Sequence, residues 1–163
     1  MDILRSVKVA TLHLDPESPA ACQTIPKPWG HEVIVTSPNL PYAAKLLHVS
    51  AGKRLSLQIH ELKTETLVLI SGEATLSLED ATGRLADIAM VSGVGYTVPP
   101  LRRHRLAATT NAVLMEASTP EVGFTLRLED DYGRADETEW DRSRERGTVV
   151  RPNASGAAAQ PVL

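Results

Sequence analysis

The feature that most constrains the fold is a series of short segments rich in β-branched and aliphatic residues, which runs from residue 31 to residue 127. Glycine, proline, asparagine and charged turns separate these segments, as is typical of β-strands. Because no long helical period lies between them, the pattern disfavours βαβ units and predicts an all-β sandwich or barrel, best described as an antiparallel jelly roll. The ten predicted strands are residues 31–37, 42–50, 55–60, 66–71, 73–79, 84–91, 95–98, 105–108, 112–118 and 124–127.

The chain of 163 residues suits one domain with one substantial core, which we place at residues 27–134. Residues 1–26 alternate poorly between polar and apolar positions, so we predict an N-terminal arm that packs on the barrel or on a second subunit. In residues 135–163 we predict one or two helical turns at 139–146, followed by a mobile tail that is poor in bulky apolar residues.

Composition excludes several classes of function. A net charge of −3 and an aromatic content of 4% argue against a nucleic-acid surface, which needs positive charge or stacking platforms. The longest apolar run, about five residues, is far shorter than the ~20 of a membrane-spanning helix. The single cysteine, Cys22, excludes an intrachain disulfide and an all-thiolate metal site. We therefore expect a cytoplasmic protein with a small-molecule substrate and no nucleic-acid or membrane partner.

Four residues have the chemistry and spacing of a metal site. Gln58 and His60 are two positions apart on one predicted strand, so their side chains share a face with Ser56. Polar groups that face a barrel interior are costly unless a metal or substrate binds them. Glu65 follows a turn and can point to the same place, and His104 begins another strand. Two imidazoles, a carboxylate and an amide can hold a divalent metal and leave positions open for substrate.

This spacing resembles the two motifs of the cupin superfamily. Gly52, Gln58, His60, Glu65 and Gly72 match the first motif, in which glutamine replaces the first histidine. Gly93, Pro99 and His104 match the second motif, with Leu101 at the position of the family glycine. The resemblance implies a double-stranded β-helix and a divalent metal ion: zinc, manganese, cobalt, nickel or iron.

The wider sequence resembles one cupin branch, the type II phosphomannose isomerases and related sugar-phosphate cupins. The residues that carry this resemblance are Lys27-Pro28-Trp29-Gly30, Tyr42, Lys45, the stretch from Leu55 to His60, and the stretch from Arg127 to Arg134. In that branch the metal ligands match Gln58, His60, Glu65 and His104, and an arginine at the sugar-phosphate site matches Arg134. The branch usually has a His-Trp pair after the ligand glutamate, where this chain has Thr66-Leu67.

Other residues are candidates for catalysis or substrate binding. Lys45 shares a strand face with apolar neighbours, so it is either an edge residue with an exposed ammonium or a buried cation near the metal. Tyr96 and Glu116 lie on barrel strands, where each could be a proton carrier or a hydrogen-bonding wall. Arg134, Lys53 and Ser56 are the candidate substrate-binding residues; for Arg134 the alternative is a surface salt bridge, and for Lys53 an exposed turn.

The leading hypothesis is a metal-dependent aldose–ketose isomerase that acts on a sugar or sugar phosphate and resembles mannose-6-phosphate isomerase. Such a reaction needs a Lewis acid at an oxygen and a base beside the carbon. A cupin dioxygenase or lyase on a small oxygenated metabolite stays open as an alternative, as does a non-catalytic binding module. We also predict a homodimer, because single-domain cupins often pair through their edge strands.

Overall fold

A computed structural model describes residues 22–38 and 40–146 of the chain. This part of the chain contains eleven strands and one short helix. The elements are β1 (Gln23–Lys27), β2 (Gly30–Ile34), β3 (Ala43–Val49), β4 (Leu57–His60), β5 (Glu65–Ser71), β6 (Ala74–Glu79), β7 (Leu85–Ala89), β8 (Gly95–Val98), β9 (His104–Ala108), β10 (Ala112–Ser118), β11 (Thr125–Glu129) and α1 (Glu139–Glu145).

The strands form two antiparallel sheets. The six-stranded sheet has the order β1-β2-β3-β10-β5-β8, and the five-stranded sheet has the order β11-β4-β9-β6-β7. Strands that are neighbours in a sheet are often distant in sequence, as in β3 and β10, so the chain crosses repeatedly between the sheets. This arrangement confirms the predicted all-β, antiparallel jelly roll.

The barrel interior is apolar at one end and charged at the other. In the β3–β10 pair, Leu47 lies opposite Leu114 in the apolar part, and two residues along Lys45 lies opposite Glu116. All four side chains are buried. The apolar end also takes Leu69 from β5 and residues from the five-stranded sheet. The functional site must be sought at the charged end, where burial of polar groups carries a free-energy cost.

Strand β1 is a difference between the sequence prediction and the structure. Residues 23–26 fall in the predicted N-terminal arm, but they pair with β2 at the edge of the six-stranded sheet. Pro26 masked this strand, because proline lacks a backbone N–H and disfavours a strand assignment; at an edge it is tolerated. The other residues of the predicted arm, apart from Cys22, lie outside the described residues, as does the predicted tail from residue 147.

Helix α1 forms where the sequence predicts helical turns. Thr138 caps its N-terminus: the Thr138 hydroxyl accepts a hydrogen bond from the Asp141 N–H (3.2 Å), and Asp141 Oδ2 accepts one from the Thr138 N–H (2.9 Å). Arg142 is the buried residue of the helix and turns towards the barrel. In the described part of the chain, no helix has the length and apolarity to cross a membrane.

Candidate metal centre and active site

His60, Glu65 and His104 meet at the charged end of the barrel. They come from β4, β5 and β9, so both sheets contribute to the cluster. One ligand atom from each lies within 4.8 Å of the others. His104 Nε2 is 3.0 Å from Glu65 Oε1, and His60 Nε2 is 3.5 Å from Glu65 Oε2. The structure therefore brings together three of the four predicted metal ligands.

The second ring nitrogen of each histidine is held away from the cluster. His104 Nδ1 lies 3.0 Å from the carbonyl oxygen of Arg102, which requires a proton on Nδ1. His104 Nε2 and the Glu65 carboxylate oxygen are then close enough to share either a proton or a bound cation. His60 Nδ1 contacts Thr125 Oγ1 at 3.1 Å. This donor set fits a divalent metal with an imidazole–imidazole–carboxylate site.

Gln58 is placed to complete this set. Its Nε2 atom lies 3.3 Å from His104 Nε2 and 3.4 Å from His60 Nε2, while its Oε1 accepts a hydrogen bond from Ser56 Oγ (2.9 Å). A half-turn of the amide exchanges oxygen and nitrogen, so that the oxygen faces the cluster and Nε2 donates to Ser56. Ser56 thus orients the amide of Gln58 and also lines the cavity beside it, so its contact with a substrate stays a prediction.

Lys63 is a buried member of the site that the sequence analysis missed. Its Nζ lies 2.6 Å from Glu65 Oε2 and 2.7 Å from Glu116 Oε1. Burial alone would lower the pKa of Lys63, but the carboxylates of Glu116, Glu65 and Glu121 outweigh it and raise that pKa above its usual range. Lys63 lies in the turn between β4 and β5, where strand alternation gives no signal of direction.

Burial by itself would raise the pKa of Glu65, but the Lys63 ammonium and the hydrogen bonds with His104 and His60 hold it well below its usual range. Burial lowers the pKa of His60, and the hydrogen bond with Glu65 opposes this only in part. The cluster therefore presents a carboxylate and, at His60, a neutral imidazole at neutral pH. These are the protonation states that metal ligation requires.

Lys45 is a buried cation, one of the two alternatives that the sequence left open. It hydrogen-bonds to Glu121 and lies 3.6 Å from Glu32 and 3.9 Å from Glu116. Burial would lower the pKa of Lys45, but Glu116, Glu121 and Glu32 together raise it. Glu121, Glu32 and Arg146 are further members of this network that the sequence analysis did not identify. Arg146 bonds to Glu121 at 2.5 Å and comes from the segment after α1.

Two adjoining cavities lie at this end of the barrel, and the inner one reaches the cluster. The inner cavity has a volume of about 70 Å³ and is lined by Gln58, His60, Lys45, Lys63 and Glu116, among others. The outer cavity, of about 320 Å³, lies between β3, the loop at Pro120–Val122 and α1. Lys45, Glu121, Arg142 and Arg146 line both cavities. These four charged side chains therefore stand between the outer cavity and the metal-ligand cluster.

Arg134 lines the inner cavity, as expected for a substrate-binding residue. Asp130 holds it through Arg134 Nη2 (2.6 Å) and Nε (3.1 Å). The Arg134 guanidinium also lies over the Tyr132 ring, 5.4 Å from its centre. The salt bridge that the sequence analysis gave as the alternative role of Arg134 is thus present. Its partner, Asp130, orients the guanidinium at the cavity wall.

Lys53 and Tyr96 are not brought together with the cluster. Lys53 is exposed, and its ammonium lies 5.9 Å from the centre of the Tyr132 ring. The Tyr96 ring packs against the apolar core, and its hydroxyl accepts a hydrogen bond from the Val91 N–H at 2.9 Å. These contacts favour an exposed turn position for Lys53 and a hydrogen-bonding role in the barrel wall for Tyr96.

The site can now be compared with known proteins. Residues 15–134, more than half of the chain, match the family described as mannose-6-phosphate isomerase C-terminal. The chain belongs to this family. The chain is also 29% identical over 145 residues to the alginate biosynthesis protein AlgA of Pseudomonas aeruginosa. The match covers 83% of this chain but only 29% of AlgA, so the chain spans less than a third of that relative.

Two solved structures of other proteins have folds similar to that of this chain. Bacillus subtilis oxalate decarboxylase, which has Mn(II) centres, superposes on 68% of this chain and 31% of its own with a TM-score of 0.57 and 18% identity. The capsular polysaccharide assembling protein CapF of Staphylococcus aureus superposes on 72% of this chain and 32% of its own, with a TM-score of 0.52 and 11% identity. These similarities support the fold of the barrel.

Proposed function

We propose that this chain is a metal-dependent cupin that isomerises an aldose to a ketose, with a sugar phosphate of the mannose 6-phosphate type as substrate. The convergence of His60, Glu65 and His104 beside a cavity lined by charged side chains, more of them cationic than anionic, is the observation that supports it most strongly. Membership of the mannose-6-phosphate isomerase family supports the substrate class. Because the chain matches only 29% of the length of AlgA, the activity of a whole relative is a proposal for this chain.

His60, Glu65, His104 and the amide oxygen of Gln58 would hold the metal. A divalent ion bound there supplies a Lewis acid for a sugar oxygen. The residues of the chain keep their donor atoms in place: Thr125 and the Arg102 carbonyl hold the histidines, and Ser56 holds the amide. Such supporting contacts orient metal ligands and fix their tautomers.

Glu116 is the proton-transfer base in this proposal. It lines the inner cavity and also a smaller adjoining cavity bounded by Glu65 and His104. Lys45 is the other interior candidate, but the raised pKa keeps its ammonium protonated at neutral pH, so it cannot accept a proton. Lys45 and Lys63 instead face Glu116 as cations, with their Nζ atoms 3.9 Å and 2.7 Å from Glu116 Oε1.

The first experiment measures metal content and isomerase activity on the full chain. We expect stoichiometric divalent metal by mass spectrometry and turnover of mannose 6-phosphate. His60→Ala and His104→Ala should lose the metal and the activity but retain the circular dichroism spectrum, because the apolar end of the barrel does not depend on them. His31→Ala is the matched control, since His31 is also on a strand but pairs with His48. Full metal occupancy in a double variant of His60 and His104 would disprove the site.

The second experiment separates catalysis from binding. Glu116→Gln should reduce kcat by at least about a hundredfold, the range of general-base catalysis, while metal content stays unchanged. A wild-type protein that binds metal and sugar phosphate without turnover would instead support the binding-module alternative. Uptake of oxygen or release of carbon dioxide from a small organic acid, without isomerisation, would support the dioxygenase or lyase alternative.

A further inference from the structure

Arg142, on helix α1, is a buried cation without an ion-pair partner. The residue is 6% exposed, and among the buried Lys, Arg, Asp and Glu residues of the described chain it alone forms no salt bridge. The other six are each paired: Glu32, Lys45, Lys63, Glu65, Arg105 and Glu116. An arginine keeps its charge when it is buried, and burial of an unpaired charge carries a large free-energy cost. Arg142 therefore lacks an anion at the place where it lies.

The hydrogen bonds of Arg142 satisfy its guanidinium only in part. Its Nη2 donates to the carbonyl oxygen of Gly123. Its Nη1 donates to Thr125 Oγ1 at 3.4 Å, which is longer than the usual ~2.7–3.2 Å. The buried Nε–H has no hydrogen-bond partner among the described residues. A buried donor without an acceptor is rare and costly, so both the charge and this N–H call for a negatively charged acceptor.

Arg142 also lies at the point where the cavities of the site meet. It lines the inner cavity, the outer cavity and a third, smaller one that is bounded by His60, Lys63 and Thr125 among others. Seven Lys or Arg residues and four Glu residues line the inner cavity, an excess of three positive charges. A cavity lined by one sign of charge attracts ligands of the opposite sign. The inner cavity therefore suits an anion, and a doubly charged phosphate better than a single carboxylate.

Arg134, the residue expected to bind phosphate, differs from Arg142 in its partners. Asp130 already holds Arg134 through Nη2 at 2.6 Å and Nε at 3.1 Å. Arg142 has no carboxylate beside it, so its charge is available to a ligand. Arg142 also lies beyond residues 15–134, the part of the chain that matches the family, so the match assigns it no role.

The size of the inner cavity indicates that one of its walls moves. Its volume of about 70 Å³ is smaller than the ~300–1,000 Å³ of typical ligand sites. Helix α1 is suited to move, because Arg142 is its one buried residue and polar contacts fasten it. Gln23 Nε2, for example, donates to the Arg146 carbonyl at 2.9 Å, and Glu139 accepts from the Gly123 N–H at 2.6 Å. Displacement of α1 would carry Arg142 away and join the inner cavity to the outer one, of about 320 Å³.

We propose that α1 is a lid over the inner cavity, and that Arg142 binds an oxyanion group of the ligand when this lid closes. For a sugar phosphate the group is the phosphate, a step that rests on the proposed function. The Nε and one Nη of a guanidinium form a planar fork that matches two oxygens of a phosphate, through charge-assisted hydrogen bonds. The ligand thus supplies the negative charge and the acceptor that Arg142 lacks in the closed cavity.

Calorimetry with inorganic phosphate on the full chain is the first test. We expect the wild-type protein to bind phosphate, and Arg142→Gln to raise the dissociation constant by at least about tenfold, because it removes a charge-assisted contact. Arg142→Lys should lie between the two, since it keeps the charge but not the fork, and it replaces Arg142→Gln if that variant fails to fold. Arg144→Gln is the matched control: Arg144 is on the same helix but exposed, and its loss should not change phosphate binding.

Amide hydrogen exchange supplies a readout that a purely structural role of Arg142 would not change. At a phosphate concentration ten times the dissociation constant, exchange at residues 139–146 should slow about tenfold in the wild-type protein, because the lid opens only when the ligand leaves. In Arg142→Gln the exchange of α1 should not respond to phosphate, whatever its rate without phosphate.

Four results would overturn the proposal: no phosphate binding by the wild type, a wild-type dissociation constant in Arg142→Gln, an equal loss in Arg144→Gln, or exchange in α1 that does not respond to phosphate. The test requires no turnover. Phosphate binding that depends on Arg142 in a protein without isomerase activity would support this inference and refute the proposed function. Phosphate binding that is lost in Arg134→Ala but kept in Arg142→Gln would refute this inference and leave the proposed function intact.

Discussion

At the scale of single residues, Leu101 shows how the chain departs from its family without losing the site. It replaces the motif glycine and, among the described residues, is the one non-glycine with a positive φ, at 62°. Its side chain is 67% exposed, and its N–H donates to the carbonyl oxygen of His60 at 2.8 Å. The turn before His104 therefore keeps the left-handed geometry that glycine would adopt freely, and leucine retains it at a cost of about 1–2 kcal/mol.

Leu101→Gly should therefore stabilise the protein. Relief of the left-handed strain is partly offset by the larger backbone entropy of glycine in the unfolded chain, so we expect a gain of about 0.5–1 kcal/mol, seen as a rise in Tm of about 1–4 °C. Leu62→Gly is the control, because Leu62 is similarly exposed, at 57%, with an ordinary φ, and it should lower Tm. Equal changes of Tm in Leu101→Gly and Leu62→Gly would contradict backbone strain at Leu101.

Arg134 is expected to bind the phosphate. Arg134→Ala should raise the KM for a phosphorylated sugar by about ten- to over a hundredfold, since it removes a charge-assisted contact worth roughly 1.5–3 kcal/mol. Arg134→Lys should restore only part of the affinity, because lysine keeps the charge but not the planar fork. The metal should stay bound in both variants. Equal effects on the phosphorylated and dephosphorylated sugar would refute phosphate recognition by this residue.

The candidate metal ligands could be predicted from sequence because strand alternation and motif spacing both act locally. Gln58 and His60 share a face for that reason. Lys63 and Glu121 could not be found in this way, since they lie in turns, where no period fixes the direction of a side chain. Their inward positions result from ion pairs with residues far away in sequence, such as Lys63 with Glu116.

At the scale of elements, helix α1 depends on its contacts with the barrel. Its seven residues are too few for a stable isolated helix. Arg142 donates to the Gly123 carbonyl and, at 3.4 Å, to Thr125 Oγ1, the same oxygen that contacts His60. Lys27 bonds to Glu145 at 2.5 Å. The helix thus lies over the charged end of the barrel and is connected through one hydroxyl to a metal ligand.

Loss of the N-cap should loosen this helix alone. Thr138→Ala is expected to weaken α1 by about 1 kcal/mol, which corresponds to about fivefold faster amide exchange at residues 139–146. Exchange in β10 should not change. Thr138→Ser retains the hydroxyl and serves as the control. Unchanged exchange in the helix, or an equal increase in β10, would show that the cap does not control local opening.

The order of elements was predicted better than their ends. The ten strands expected from hydrophobic segments all have counterparts in the structure. Strand β1 was missed because Pro26 lacks a backbone N–H and so argues against a strand at this position. The sheet to which each strand belongs could not be predicted from the sequence. The pairing of β3 with β10, for example, depends on the closure of the whole barrel. Local patterns specify a strand, and only the tertiary fold specifies its neighbour.

At the scale of the whole molecule, the buried charges should make stability dependent on pH. Burial would raise the pKa of Glu121, but Lys45, Lys63 and Arg146 hold it well below its usual range. A carboxyl group with a lowered pKa in the folded state stabilises the protein above its unfolded pKa, about 4.3, and this contribution is lost as the pH falls through the folded value.

We therefore expect Tm to fall steeply below about pH 4.5 in the wild-type protein. Glu121→Gln should have a lower Tm at pH 7, because it leaves buried cations without a partner, but a shallower decline in acid. Glu73→Gln, at an exposed carboxyl group, is the control and should follow the wild-type curve. Parallel curves for Glu121→Gln and the wild type would show that Glu121 does not couple protonation to folding.

The shared ion pairs of the interior also limit how this sequence can evolve. Lys63 faces Glu65, Glu116 and Glu121 at once, and Glu121 in turn faces Lys45 and Arg146. Loss of one member leaves several opposite charges unbalanced, at a cost of about 3–5 kcal/mol, which is much of the stability of a typical domain. Substitutions here are expected to be accepted in compensating pairs, so that descendants of this chain would gain or lose interior cations and carboxylates together.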